Sequence, residues 1–165
     1  MKIRNNFAPL VVAVAVVISL PHALLARTVT TKSTPQDREA SVAKVIRLLQ
    51  DSGLTHRKTG ANTWVIERQG KSMLVAAGTD FLVLGIIVAV KKNMRVSADL
   101  QFKLLKLNHS LDYAKVGFDD DDDLFVRTEA RLRLIDLEAF KSMVNDVGNG
   151  AVKAQNEVRP FLVTP

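Results

Sequence analysis

Ten consecutive residues, Phe81 to Val90, read FLVLGIIVAV and carry no charged or hydrogen-bonding side chain. This run constrains the fold more than any other stretch. It is too short to cross a bilayer as a helix, which takes about 20 apolar residues. Extending it back to Met73 lengthens the greasy stretch, but Gly78 and Asp80 interrupt it. Lys91 and Lys92 end it with charge. A continuous apolar strand of this kind is expected at the centre of a sheet, covered on both faces.

The flanking sequence supplies partners for that strand. NTWVIER and KSMLVAA are joined by Gln69-Gly70 and predict a hairpin, with Gly70 providing the positive φ of the turn. Trp64 is expected to pack on a sheet face. DYAKVGFD (residues 112–119) and LFVRTEARLRL (124–134) alternate. In the second, Leu124, Val126, Ala130, Leu132 and Leu134 fall on one side, and Phe125, Arg127, Glu129, Arg131 and Arg133 on the other.

Three helices are expected between and around these strands. The first starts at Thr34-Pro35 with Asp37 in its first turn. It carries Val42, Val45, Ile46 and Leu49 on one face, and Gly53 stops it. The second is capped by Ser97 and places Leu100, Leu104, Leu107 and Leu111 on a stripe, with Asp99 and Lys103 spaced to pair. The third starts after Asp136, with Phe140, Met143, Val144, Val147 and Ala151 inward. Gly148 and Gly150 predict fraying or a bend. The tail RPFLVTP, residues 159–165, is either loose or docked through Phe161 and Leu162. The fold class is therefore α+β in the order α-β-β-β-α-β-β-α. Its antiparallel sheet has five strands, and the helices pack mainly on one face.

The N-terminus, MKIRNNFAPLVVAVAVVISLPHALLARTV, has the order of a secretory signal. Lys2 and Arg4 form a basic head, an apolar run follows to Leu20, and Pro21, Ala23 and Ala26 lead to a cleavage site. Residues 1–26 are thus expected to be a signal peptide, residues 27–34 a polar leader, and residues 35–158 the domain. An uncleaved anchor over residues 7–26 is the alternative. The chain carries 23 Lys and Arg against 17 Asp and Glu, a net charge of +6. Without Lys2 and Arg4 the count is 21 against 17, or +4. There is no cysteine, which excludes disulfides, a thiol nucleophile and lipid attachment at a cysteine. A periplasmic or secreted location follows as the expectation, with no stable membrane span after cleavage. Aromatic residues are only 5% of the chain, so the core must be built from Val, Leu, Ile and Ala.

Five consecutive aspartates, Asp119 to Asp123, sit between the last two strands. Aspartate is a good turn residue because its side chain accepts from nearby backbone N–H groups. An EF-hand loop needs acids at alternate positions, a glycine inside and a distal Glu, and this run has none of that pattern. It is read first as a solvated hairpin turn, relieved by Arg127 or Lys115, with divalent-cation binding as an alternative. No metal site, cofactor site or catalytic group is assigned. No nucleophile elbow, phosphate loop or dinucleotide glycine pattern is present. His56 and His109 lack metal-ligand spacing, and His109 suits a helix C-terminus. Phe125, Arg127, Arg131 and Arg133 on the last strand form the candidate partner-binding surface. Nucleic acid is not expected there, because the arginines lack a stacking platform beyond Phe125.

The segment LLKLNHSLDYAKVGFDDDDDLFVRTEARL, residues 104–132, resembles the YbjN-like family, whose fold is similar to that of type III secretion chaperones. In layout the resemblance covers residues 35 to 158. Members usually carry a glycine in the acidic turn, where this chain has only aspartates. The resemblance implies a non-enzymatic adaptor or chaperone-like domain that binds a protein partner, with homodimerisation as a known habit of the fold. It also suggests that the amide of Asn108, at the end of the second helix, caps backbone there.

Overall fold

The computed structural model describes residues 35–68 and 70–163. The signal peptide expected over 1–26, the leader expected over 27–34 and the cap expected at Thr34 lie outside the described residues. The first helix, α1, spans Pro35–Ser52. Val45, Leu48 and Leu49 are buried on it, with Val42 and Ile46 packed against the core. It ends at Gly53, whose φ of +70° suits a residue without Cβ.

The sheet begins with β1 (His56–Lys58), β2 (Thr63–Arg68) and β3 (Lys71–Ala77). The β2–β3 hairpin closes at Arg68 opposite Lys71, and Gly70 takes a φ of +71° in the turn. The apolar run becomes β4 (Phe81–Ala89). The second helix, α2, covers Ala98–His109, and the Ser97 hydroxyl accepts from the Leu100 N–H at 3.2 Å. β5 (Lys115–Phe118) and β6 (Leu124–Arg131) form the last hairpin. The third helix, α3, spans Leu137–Val158, with the Asp136 carboxylate accepting from the Ala139 N–H at 2.8 Å.

Six strands lie in the order β1-β2-β3-β4-β6-β5, and every neighbouring pair is antiparallel. The expected five-strand sheet is therefore corrected to six, and the element order to α-β-β-β-β-α-β-β-α. The additional strand, β1, consists of His56, Arg57 and Lys58, all exposed. It shows no apolar alternation because nothing buries its side chains. Backbone pairing to Ile66, Val65 and Trp64 alone makes it a strand.

One face of the sheet carries Trp64 and Ile66, Met73 and Val75, Leu82 and Leu84, and Val126, all buried. The helices pack there: α3 against β4 and β6, α1 against β3 and α3, and α2 against β5 and α3. The one-face arrangement expected from the sequence is thus present. Full coverage of β4 is not. Leu82, Leu84 and Ile86 are buried, but Ile87 is 61% exposed on the opposite face.

Two further expectations change. The alternating pattern through Leu134 does not continue as strand, because β6 stops at Arg131 and a 3₁₀ turn follows over Leu132–Leu134. Leu132 is buried, while Leu134 is 72% exposed. The turn is anchored by the Leu132 N–H, which donates to the Asp80 carbonyl at 2.7 Å. The glycines of α3 do not interrupt it. A Cβ at Gly150 would lie 3.1 Å from Val126 Cγ1 and 3.3 Å from Leu111 Cδ1, so its absence lets helix and sheet approach. The tail docks as well. Leu162 bridges to Met94, the Arg95 N–H donates to the Phe161 carbonyl at 2.8 Å, and Phe161 packs on the core.

Candidate interaction surface

The face of the sheet opposite the helices is apolar at its centre and open. Its middle residues follow from strand alternation: Val65 on β2, Leu74 on β3, Val83 and Ile87 on β4, and Phe125 on β6. Leu74 is 44% exposed. These side chains border a hollow of about 590 Å³ that also reaches Ser72, Gly85 and Arg127. Such an apolar surface raises the free energy of the isolated domain in water. Covering what remains exposed of one Ile or Leu here would recover about 1–2 kcal/mol.

Gly85 forms the floor of the hollow. It is paired with Leu74 on one side and Arg127 on the other. Its φ is not positive. A Cβ there would meet Arg127 Cβ at 3.6 Å and the Val126 carbonyl at 3.8 Å, which is ordinary contact. Neither backbone conformation nor packing requires glycine, although glycine within a strand costs about 0.5–1 kcal/mol relative to alanine.

Phe125 and Arg127 form one unit beside this floor. The Phe125 ring leans over Gly117 of β5, where a Cβ would come within 3.3 Å of its Cζ. The Arg127 guanidinium lies 4.9 Å from the centre of that ring. Arg131 is placed differently. It donates to Asp80 at 2.6 Å and its guanidinium lies 5.1 Å from the Phe81 ring, at the end of β4. Arg133 sits in the 3₁₀ turn, off the sheet. Of the four residues proposed from sequence, Phe125 and Arg127 therefore line the hollow, Arg131 is ion-paired to Asp80 beside the start of β4, and Arg133 lies apart. Leu74, Gly85 and Ile87 were missed. For Gly85 and Ile87 the signal lies in the apolar run, whose odd-numbered residues read as a covered face, and for Leu74 in the alternation of KSMLVAA.

The aspartate run forms the β5–β6 turn. Asp119 Oδ1 accepts from the N–H groups of Asp121 at 3.1 Å and Asp123 at 2.9 Å. Asp122 adopts a φ of +61°, the left-handed conformation that favours glycine. The charge is relieved by Lys91 rather than by Arg127 or Lys115. Lys91 Nζ lies 2.5 Å from Asp122 Oδ2, and its backbone N–H donates to Asp123 Oδ1 at 2.8 Å. The hydrogen bond and charge of Asp122 raise the Lys91 pKa above its ordinary value. Among the described residues, no group of three His, Asp or Glu side chains converges to hold a metal ion.

Asn108 reaches beyond its own helix. Its amide donates to the Val116 carbonyl at 2.8 Å, and its Oδ1 accepts from the Val116 N–H at 2.6 Å. It pairs with β5 as another strand would. The Lys115 ammonium instead caps the end of α2, donating to the Asn108 carbonyl at 3.3 Å and to the Leu111 carbonyl just beyond the helix at 3.0 Å. His109 is the exposed last residue of α2, and His56 lies on exposed β1.

No family model and no curated protein matches the sequence. Solved structures do share its architecture. A chain of the heterodimeric ExoU–SpcU complex from the type III secretion system of Pseudomonas aeruginosa is 18% identical, with a TM-score of 0.56 over 70% of this chain and 98% of that one. YbjN from E. coli is 15% identical, with a TM-score of 0.53 over 74% and 96%. A chain of the complex between the Yersinia pestis type III secretion chaperone SycH and a fragment of YscM2 is 12% identical, with a TM-score of 0.53 over 69% and 98%. The fold of this chain is therefore that of YbjN and of these type III secretion assemblies.

Proposed function

We propose that this chain is an exported, non-enzymatic protein-binding domain of chaperone-like type, and that the open sheet face is its contact surface. The observation that carries the reading is the apolar hollow at the centre of an otherwise well-packed sheet, with Ile87 and Leu74 left in water. Exposed apolar patches rimmed by polar residues are characteristic of protein interaction sites. SycH, of the same fold, was solved with a protein fragment bound, which supports a protein partner here. Export rests on the residue order of segment 1–26.

A photo-crosslinking residue in place of Ile87, in the full chain expressed in its native host, tests the surface. The expected result is a discrete crosslinked protein that disappears when Leu74 is replaced by Glu. Efficient crosslinking from Leu134 and none from Ile87 would move the site elsewhere. N-terminal sequencing of the same material tests export. A mature start near Arg27 supports it, whereas an intact start in the membrane fraction replaces it with a tether through residues 7–26.

Self-association is a second reading, carried by a different observation. Phe102 and Leu105 on α2 are 55% and 67% exposed, one helical turn apart. A homodimer through α2 would cover both. Light scattering should then show a mass of two chains that falls to one in a Phe102→Glu, Leu105→Glu variant.

A further inference from the structure

We propose that the open face selects an extended partner segment in which a large apolar side chain enters the hollow over Gly85 and an Asp or Glu two residues away meets Arg127. This rests on the protein-binding reading above and names the chemistry of the partner.

The strand register places one row of residues straight across the sheet. Arg57 pairs with Val65, Val65 with Leu74, Leu74 with Gly85, Gly85 with Arg127, and Arg127 with Lys115. The row is apolar and hollow in the middle and cationic at both ends. Glycine within a strand often marks a place where a ligand approaches the backbone closely. Gly85 fits that use, since its own conformation and packing would accept a side chain.

Arg127 is the cation directly beside Gly85, and it is available to such a ligand. Among the described residues it has no carboxylate partner, and its guanidinium rests on the Phe125 ring. Two neighbouring cations are occupied. Arg131 is bound to Asp80, and the Lys115 ammonium is bound to the Leu111 carbonyl. An acid two residues from the buried apolar side chain projects from the same side of an extended segment. Strands are spaced about 4.8 Å apart, so a segment crossing them brings that acid within reach of the long Arg127 side chain.

Charge also argues against a second copy of this chain as the occupant. Leaving aside Arg131, which is paired with Asp80, the open face carries by register Arg57, Arg127 and Lys115 against Glu67 and Glu129. A copy would bring net positive charge onto net positive charge, while an acidic segment is complementary.

The test uses the full chain and three labelled peptides built on a Ser/Thr background. One contains Leu-Thr-Glu, one Leu-Thr-Lys and one Ser-Thr-Glu, with binding followed by fluorescence anisotropy at low ionic strength. The Leu-Thr-Glu peptide should bind about 3- to 10-fold tighter than Leu-Thr-Lys, the range expected for an exposed ion pair exchanged for a repulsion. Arg127→Glu should reverse that order. Gly85→Leu should weaken both Leu peptides while the melting temperature holds. Equal binding of the Glu and Lys peptides, with Gly85→Leu still weakening both, would overturn the acidic rule and leave the protein-binding face standing. Absence of all peptide binding, together with crosslinking from Ile87 unchanged by Gly85→Leu, would overturn the hollow as the contact. A concentration-dependent dimer broken by Gly85→Leu would assign the face to a second copy. Binding of laurate in preference to every peptide would assign it to an amphiphile.

Discussion

Replacing Asn108 with alanine separates an edge built by side chains from one built by strands. Asn108 makes two hydrogen bonds to Val116, at 2.8 Å and 2.6 Å, from the end of α2 to the outermost strand. Val116 is 6% exposed, so its backbone groups have limited access to water when the amide is removed. Each bond contributes about 1 kcal/mol net, and a donor or acceptor left unsatisfied costs about 1–3 kcal/mol. The expected loss is therefore about 2–4 kcal/mol, with water entering the vacated space setting the lower end. Asn108→Asp keeps the acceptance from the Val116 N–H and loses the donation, so it should fall between wild type and the alanine variant. Urea denaturation of the three proteins measures the stability change. Hydrogen exchange localises it: the Val116 amide should lose protection while the Leu84 amide keeps it. An alanine variant within about 0.5 kcal/mol of wild type, with Val116 still protected, would refute the view that this amide acts as a substitute strand.

Three other measurements probe the same architecture. The two faces of β4 should respond in opposite ways, with Leu84→Ala costing about 2–5 kcal/mol and Ile87→Thr staying within about 0.5 kcal/mol in thermal or urea unfolding. Asp122→Gly should stay within about 1 kcal/mol of wild type, because relief of a left-handed backbone and one like charge offsets loss of the exposed pair with Lys91, whereas Asp122→Val loses the pair and keeps the strain and should destabilise. The raised pKa of Lys91 means that its stabilising contribution is fully present below the ordinary 10.5 and is lost as pH rises through the higher folded value. The stability difference between wild type and Lys91→Gln should therefore shrink across that alkaline window in pH-dependent urea unfolding.

The legible parts of the fold were those in which side-chain burial writes a period into the sequence. The stripes Val45 and Leu49, Leu100 and Leu104, and Phe140 to Ala151 identified the helices, because each buries one face. The β2–β3 hairpin was legible from Gly70. β1 was not, since His56, Arg57 and Lys58 bury nothing. The end of β6 was not, because Leu132 and Leu134 keep the alternating spelling while the backbone turns to pair Leu132 with Asp80. For the surface, Phe125 and Arg127 stood out as exposed positions in an alternating strand. Leu74, Gly85 and Ile87 did not, because an apolar residue left in water is spelled like an apolar residue already covered.

The edges and the open face of this sheet are treated in opposite ways, and the contrast bears on how a partner can approach. Unpaired strand edges are templates for adding another chain. On β5 the template is closed. Asn108 takes both the N–H and the carbonyl of Val116, and Asp146 on α3 accepts from the Tyr113 and Ala114 N–H groups at 2.8 Å and 2.6 Å. On the other edge β1 is three residues long and carries Arg57 and Lys58, and both brevity and charge discourage strand addition. The open face has no comparable protection: Ile87 and Leu74 remain exposed around a glycine that its own backbone does not require. A partner recruited by extending the sheet at β5 would have to displace Asn108 and Asp146 first. One that lies across the strands meets the hollow and Arg127 directly. The proposed contact is therefore with the face, and the sealed edges direct a partner towards it.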